Sequence, residues 1–198
     1  AEFLHQNNVD GLIIQDLGFA FYLHQVYPNL ILHASTQLNC HNLDQAKALK
    51  KIGFKRIVLA REAPSALIKE VKAIGLEVEV FIHGALCVSF SGNCLMSSFI
   101  GDRSGNRGRC AQPCRMKYSL MKENEEITSS YMISTKDLNT LQYIDDLKKE
   151  NVDSLKIEGR LKQLEYVYLV TKAYRNALDK NNKSLKNDQE NLQNIFSR

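Results

Sequence analysis

Four cysteines fall between residues 87 and 114, and their spacing is C-x6-C-x15-C-x3-C: Cys87, Cys94, Cys110 and Cys114. They stand in turn-forming stretches: His83-Gly84-Ala85-Leu86-Cys87, Ser91-Gly92-Asn93-Cys94, and Asn106-Arg107-Gly108-Arg109-Cys110-Ala111-Gln112-Pro113-Cys114-Arg115. Thiolates gathered by glycine-rich turns suit a soft metal ion or an iron–sulfur cluster. Disulfides and inert thiols are the alternatives. A lysine-rich chain of middling size with no export signal favours reduced thiols and metal binding. Around the thiols stand Arg103, Arg107, Arg109, Arg115 and Lys117, with no acid between 103 and 117. Such a run is either a solvated basic loop or a contact for an anion or RNA. The fifth cysteine, Cys40, stands apart and reads as a small core residue.

The rest of the chain must position that segment. Its 198 residues suffice for one domain with a core, and a net charge of +4 is only mildly basic. No apolar run is long enough to span a bilayer. The N-terminus has neither a basic nor an apolar leader region, and it lacks an initiator Met. The expectation is a cytoplasmic chain that is a processed or internal piece.

Short apolar runs alternate with helical patterns. Strands are expected at 11–16, 30–35, 56–60, 77–82 and 154–159. Helices are expected near 19–26, from an Asn42 cap to Gly53, over 65–74, from Ser134 or Asp137 through Leu147, and over 164–178. Residues 84–117 read as a long loop, followed by a β-hairpin, so that 84–131 is an insertion. Residues 181–198 read as a polar tail that frays. Strands joined by helices imply βαβ units and a parallel sheet. The fold class is α/β, a partial TIM-like (β/α) barrel over 1–180 with about five parallel strands. Polar residues at the strand ends, His83, Glu158 and Arg160 among them, would sit on the rim where barrels do chemistry.

At this point the sequence resembles the U32 peptidase-like proteins. The resemblance rests on Ile13-Ile14-Gln15-Asp16-Leu17-Gly18, His33-Ala34-Ser35-Thr36-Gln37, Val58-Leu59-Ala60-Arg61-Glu62, the three cysteine stretches, Ser134-Thr135-Lys136-Asp137-Leu138, and Leu155-Lys156-Ile157-Glu158-Gly159-Arg160. It implies an α/β barrel whose first βα units lie outside this sequence. A second copy, or a domain swap, would then cover the open barrel. It also implies one of several activities. Some members act in prephenate-dependent 5-hydroxylation of wobble uridine in tRNA, others in hydroxylation of ribosomal RNA, and others in hydroxylation of the ubiquinone ring with a [4Fe-4S] cluster. The family name itself records proteolysis, including collagen degradation. By resemblance Cys87, Cys94 and Cys110 match cluster positions, and Cys114 stands where the fourth ligand varies between branches.

The residues weigh these activities differently. No H-E-x-x-H or G-x-S-x-G motif is present. His83 and Cys87, four apart, would have to meet on a helical turn to form a protease pair, which leaves three cysteines without a role. A four-thiolate zinc site is coordinatively closed, hence structural. A cluster uses all four sulfurs and supplies redox chemistry. Arg107, Arg109 and Arg115 are the candidates for a carboxylate such as prephenate or an RNA phosphate. Their alternative is plain loop charge. His83 reads as a proton shuttle or as a rim histidine bonded to a carbonyl. Glu158 and Arg160 read as catalytic or as part of a rim ion network. The expected reading is an iron–sulfur-dependent factor for tRNA hydroxylation. A peptidase acting on peptide substrates and a non-catalytic RNA-binding module with a structural metal remain the alternatives.

Overall fold

In the computed structural model, residues 1–160, 162–180 and 185–195 are described. Glu2–Gln6 forms a short helix, α1. Three βα repeats follow, β1 (Leu12–Ile14) with α2 (Leu17–Val26), β2 (Leu32–Ala34) with α3 (Leu43–Ile52) and β3 (Phe54–Val58) with α4 (Ala66–Ala73), and then β4 (Glu77–Ala85). The caps are those the residue types call for. Asp16 accepts from the Phe19 N–H at 2.7 Å, and Asn42 accepts from the Gln45 N–H at 2.9 Å. Gly53, at φ 109°, ends α3.

After β4 come α5 (Met96–Gly101), the hairpin β5 (Tyr118–Lys122) and β6 (Glu125–Ser130), β7 (Asp137–Asn139), α6 (Ile144–Lys149), β8 (Ser154–Ile157), α7 (Leu164–Leu178) and α8 (Leu185–Asn194). Strands β1 to β4 pair in order and in parallel, and β8 adds in parallel to β4. The five parallel strands of the α/β reading are therefore present. No helix among the described residues is long and apolar enough to cross a membrane.

One sheet face is dry. Leu32, Ile57 and Val78 pack there with Leu23, Leu49, Leu67 and Val71 from the helices. Each such side chain contributes roughly 1.5–3 kcal/mol by leaving water. The other face is polar: Ile13, His33, Arg56 and Glu77 lie side by side in register. Arg56 reaches Glu77 at 2.8 Å and Glu79 at 3.7 Å, and Lys156 reaches Glu79 at 3.1 Å. A second apolar cluster joins Ile82 to Ile144, Tyr166, Val170 and Tyr174 under α7.

Two expectations change. Residues 137–139 are not the start of a helix. They form a strand antiparallel to His83–Ala85, and the helix begins only at Ile144. Long-range bonds override the local cap signal. Thr135 Oγ1 donates to Leu86 O at 2.7 Å, and Thr140 Oγ1 donates to Ile82 O at 2.9 Å. The polar tail also contains structure. Residues 185–194 form α8, which buries Leu192 and bonds Asp188 to Asn176 at 3.0 Å. The tail's remaining positions, 181–184 and 196–198, lie outside the described residues.

Candidate functional site

A groove of about 690 Å³ opens at the C-terminal ends of the parallel strands. Cys87, Cys110 and Cys114 line it, with Arg61, Glu158 and Arg160. All five cysteines are free thiols. Burial pushes the Cys114 thiol up, Arg115 eases it back, and Cys87, Cys110 and Cys94 each push it further up. Cys114 is thus within electrostatic reach of the other three sulfurs of the motif. Cys40 is different: it is fully buried in the first core and pushed up to about 11.

The glycines seat this loop. Gly92 has φ 81°, and a Cβ there would lie 2.3 Å from Gln37 O. The turn carrying Cys94 can therefore press directly on the end of β2. Ser91, 2% exposed, locks the same turn: its Oγ accepts from the Arg61 N–H at 3.2 Å, and its N–H donates to Glu62 at 3.3 Å. On the other side, Ser97 of α5 accepts from the Ala111 N–H at 2.9 Å.

Two of the arginines act as straps. Arg115 Nη1 donates to Thr135 O at 2.5 Å, and its Nη2 donates to Leu86 O at 2.6 Å. Arg160 Nη2 donates to Cys110 O at 2.8 Å, and its Nη1 donates to Gly108 O. Charge-assisted bonds to carbonyls are strong and directional. They tie the cysteine loop to the ends of β4 and β8. Arg115 therefore organises the site with the fork that the sequence assigned to a ligand. Arg107 and Arg109 are exposed on the loop, as are Arg103 and Lys117, and Phe99 of α5 is 86% exposed. Tyr118 instead turns inward, its hydroxyl donating to Pro113 O at 2.9 Å.

Glu158 lies in the groove as expected, 3.6 Å from Arg61. His83 does not line it. The ring is 4% exposed and packs with Tyr166 and Tyr174, its Nδ1 lying 3.3 Å from the Tyr174 hydroxyl. It belongs to a strand, so no helical turn brings it round to Cys87. Burial lowers its pKa to about 4, with Asp137 opposing the shift. The unfolded chain takes a proton near pH 6.5, which the fold refuses until about pH 4. Stability is therefore full above pH 6.5 and falls as pH drops through that window. The loss is about 3 kcal/mol between pH 7 and pH 4. Urea denaturation of His83→Asn against wild type should show this acid limb flattened, and an unchanged limb would refute it.

Arg61 and Gln37 also line the groove. Their place at strand ends was the available signal. Lys162 and Asp137, paired at 3.3 Å near His83, carried none.

With the site described, comparison with known proteins becomes informative. The profile of peptidase family U32 matches residues 1–198. The chain belongs to this family. Within it, the chain is 41% identical over 179 residues to the 23S rRNA 5-hydroxycytidine C2501 synthase of Escherichia coli (strain K12), covering 89% of this chain and 27% of that protein. It is 37% identical over 181 residues to tRNA hydroxylation protein P1 of Bacillus subtilis (strain 168), covering 87% and 43%. It is 31% identical over 187 residues to a collagenase of Porphyromonas gingivalis, covering 86% and 44%. This U32 chain thus spans between about a quarter and a half of the length of these relatives. No solved structure matches it significantly.

Proposed function

We propose that this chain carries the cluster-binding groove of an iron–sulfur-dependent enzyme that hydroxylates position 5 of the tRNA wobble uridine. The observation that carries the reading is that Cys87, Cys110 and Cys114 line one groove, with Cys94 in electrostatic reach of Cys114, beside an exposed basic loop. Among the described residues, no three His, Cys, Asp or Glu side chains are close enough to hold a single metal ion. A four-iron core takes one thiolate per iron, and Cys87, Cys94, Cys110 and Cys114 supply that number. When bound, such a cluster supplies one-electron chemistry.

The chain's own residues do the rest. Arg115 and Arg160 fix the loop that presents the thiols. Arg103, Arg107 and Arg109 meet an RNA backbone, and Phe99 offers a stacking face for a base. The basic lining of the groove suits a small carboxylate co-substrate such as prephenate. An RNA substrate also implies work in the cytoplasm. The relatives named for tRNA and rRNA hydroxylation support an RNA substrate. The peptidase alternative draws on the relative named collagenase, but its Cys87–His83 pair has little support with His83 buried against Tyr174.

Full-length protein purified without oxygen should be brown and carry about four iron and four sulfide per chain. Deleting the gene should remove 5-hydroxyuridine-derived nucleosides from tRNA. Loss of ribosomal 5-hydroxycytidine instead would move the substrate to rRNA, and loss of neither would end the reading.

A further inference from the structure

Three arginines line the groove, and two are occupied by carbonyls: Arg115 by Leu86 and Thr135, Arg160 by Gly108 and Cys110. Arg61 differs. It follows β3, and its side chain is 14% exposed. Its guanidinium lies 3.9 Å over the Phe81 ring, which fixes its plane. Glu158 stands at 3.6 Å, beyond hydrogen-bond length. Among the described residues, the Arg61 fork closes no hydrogen bond. Burial lowers its pKa while Glu158, then Cys87 and Glu62, raise it, so the Cys87 sulfur is within its electrostatic reach.

A guanidinium stacked on one face and open along its edge matches a planar oxyanion through two parallel N–H···O bonds. The charged lining of the groove is Arg61, Arg115, Arg160 and Lys162 against Glu158 and Glu165, which draws in an anion. Size decides which anion. The exposed Arg103, Arg107 and Arg109 suit a polymer backbone, whereas Arg61 is recessed and suits a small molecule.

We infer that Arg61 is the carboxylate-binding residue of the groove, holding a small-molecule carboxylate by a forked hydrogen bond beside Cys87. The inference rests on the groove being the reaction centre. It reassigns to Arg61 the role that the sequence gave to Arg107, Arg109 and Arg115. Glu158 then acts as the internal placeholder that a ligand carboxylate displaces.

The test is calorimetric titration of the full-length, oxygen-free protein with prephenate and, separately, with inorganic phosphate. Wild type should bind prephenate. Arg61→Lys, which keeps the charge but loses the fork, should bind it at least about tenfold more weakly, with iron content and RNA affinity unchanged. Arg61→Gln should abolish binding. Equal prephenate affinity in wild type and Arg61→Lys, or no prephenate binding by wild type, overturns the inference. Phosphate bound as tightly as prephenate, and as dependent on Arg61, overturns the carboxylate assignment. Loss of iron in Arg61→Lys makes the residue a scaffold for the loop and overturns it too. Binding that depends on Arg61 in a protein that modifies no RNA would sink the substrate reading and leave this inference standing.

Discussion

On the proposed cluster reading, replacing Cys110 with serine is expected to leave a folded protein without iron, sulfide or activity. The backbone at Cys110 does not depend on the sulfur. Arg160 holds the Cys110 carbonyl at 2.8 Å, and Ser97 accepts from the next N–H at 2.9 Å. The thiol itself makes one weak contact, accepting from the Gln112 N–H at 3.3 Å. A serine hydroxyl replaces a soft anionic ligand with a hard neutral one, which a cluster iron does not hold. Losing an outer-shell partner of a metal site costs roughly 10–100-fold, and losing a ligand should cost more. Arg160→Ala, which removes such a partner, should fall in that smaller range. Cys40→Ser is the contrast, because Cys40 is buried in the first core and faces Asn42 O at 3.8 Å. It should lose stability and keep iron. Iron and sulfide assays on the oxygen-free variants decide the matter: full loading in Cys110→Ser would remove that residue from the ligand set.

Gly84→Ala should be among the most damaging single changes outside the thiols. Gly84 has φ 108°, and a Cβ there would meet Glu158 O at 2.2 Å and Glu158 Cβ at 2.9 Å. Both obstacles belong to the neighbouring chain segment, so β4 and the end of β8 must separate. Glu158 N–H donates to His83 O at 2.8 Å across that seam, so the bond would be strained as well. The combined cost is on the order of 3–5 kcal/mol. Gly108 is the control, with φ 70° and no atom within 4 Å of its Cβ position. Gly108→Ala should cost only about 1 kcal/mol of backbone strain. Urea midpoints for the two variants should differ accordingly, and equal midpoints would show that the seam tolerates a methyl group.

Much of the scaffold was legible because its signals are local. Asn42 and Gly53 bracket α3 through their own side chain and φ angle, and apolar runs mark each parallel strand. The hairpin was legible because Asn124, in a polar run between two apolar stretches, tolerates the positive φ a turn needs. β7 was not, because Ser134-Thr135-Lys136-Asp137 carries a helix-start signature that the edge of β4 overrides. α8 was missed because only a sparse set of apolar positions, Leu185, Leu192 and Ile195, anchors an otherwise polar stretch. The thiols were legible by residue type. The arginines were not, because the role of each is set by distant carbonyls: Arg160 meets Gly108 and Arg115 meets Leu86, 52 and 29 residues away.

The two straps join guanidinium to carbonyl, with no carboxylate partner. A carbonyl does not titrate in water, and a guanidinium stays charged throughout the biological range. Acidification would therefore leave these two straps closed, whereas the turn carrying Cys94 is held in part by the Glu62 carboxylate. On the proposed cluster reading, a protein emptied of metal by mild acid should keep the two straps that hold Cys110 and Cys114 in place.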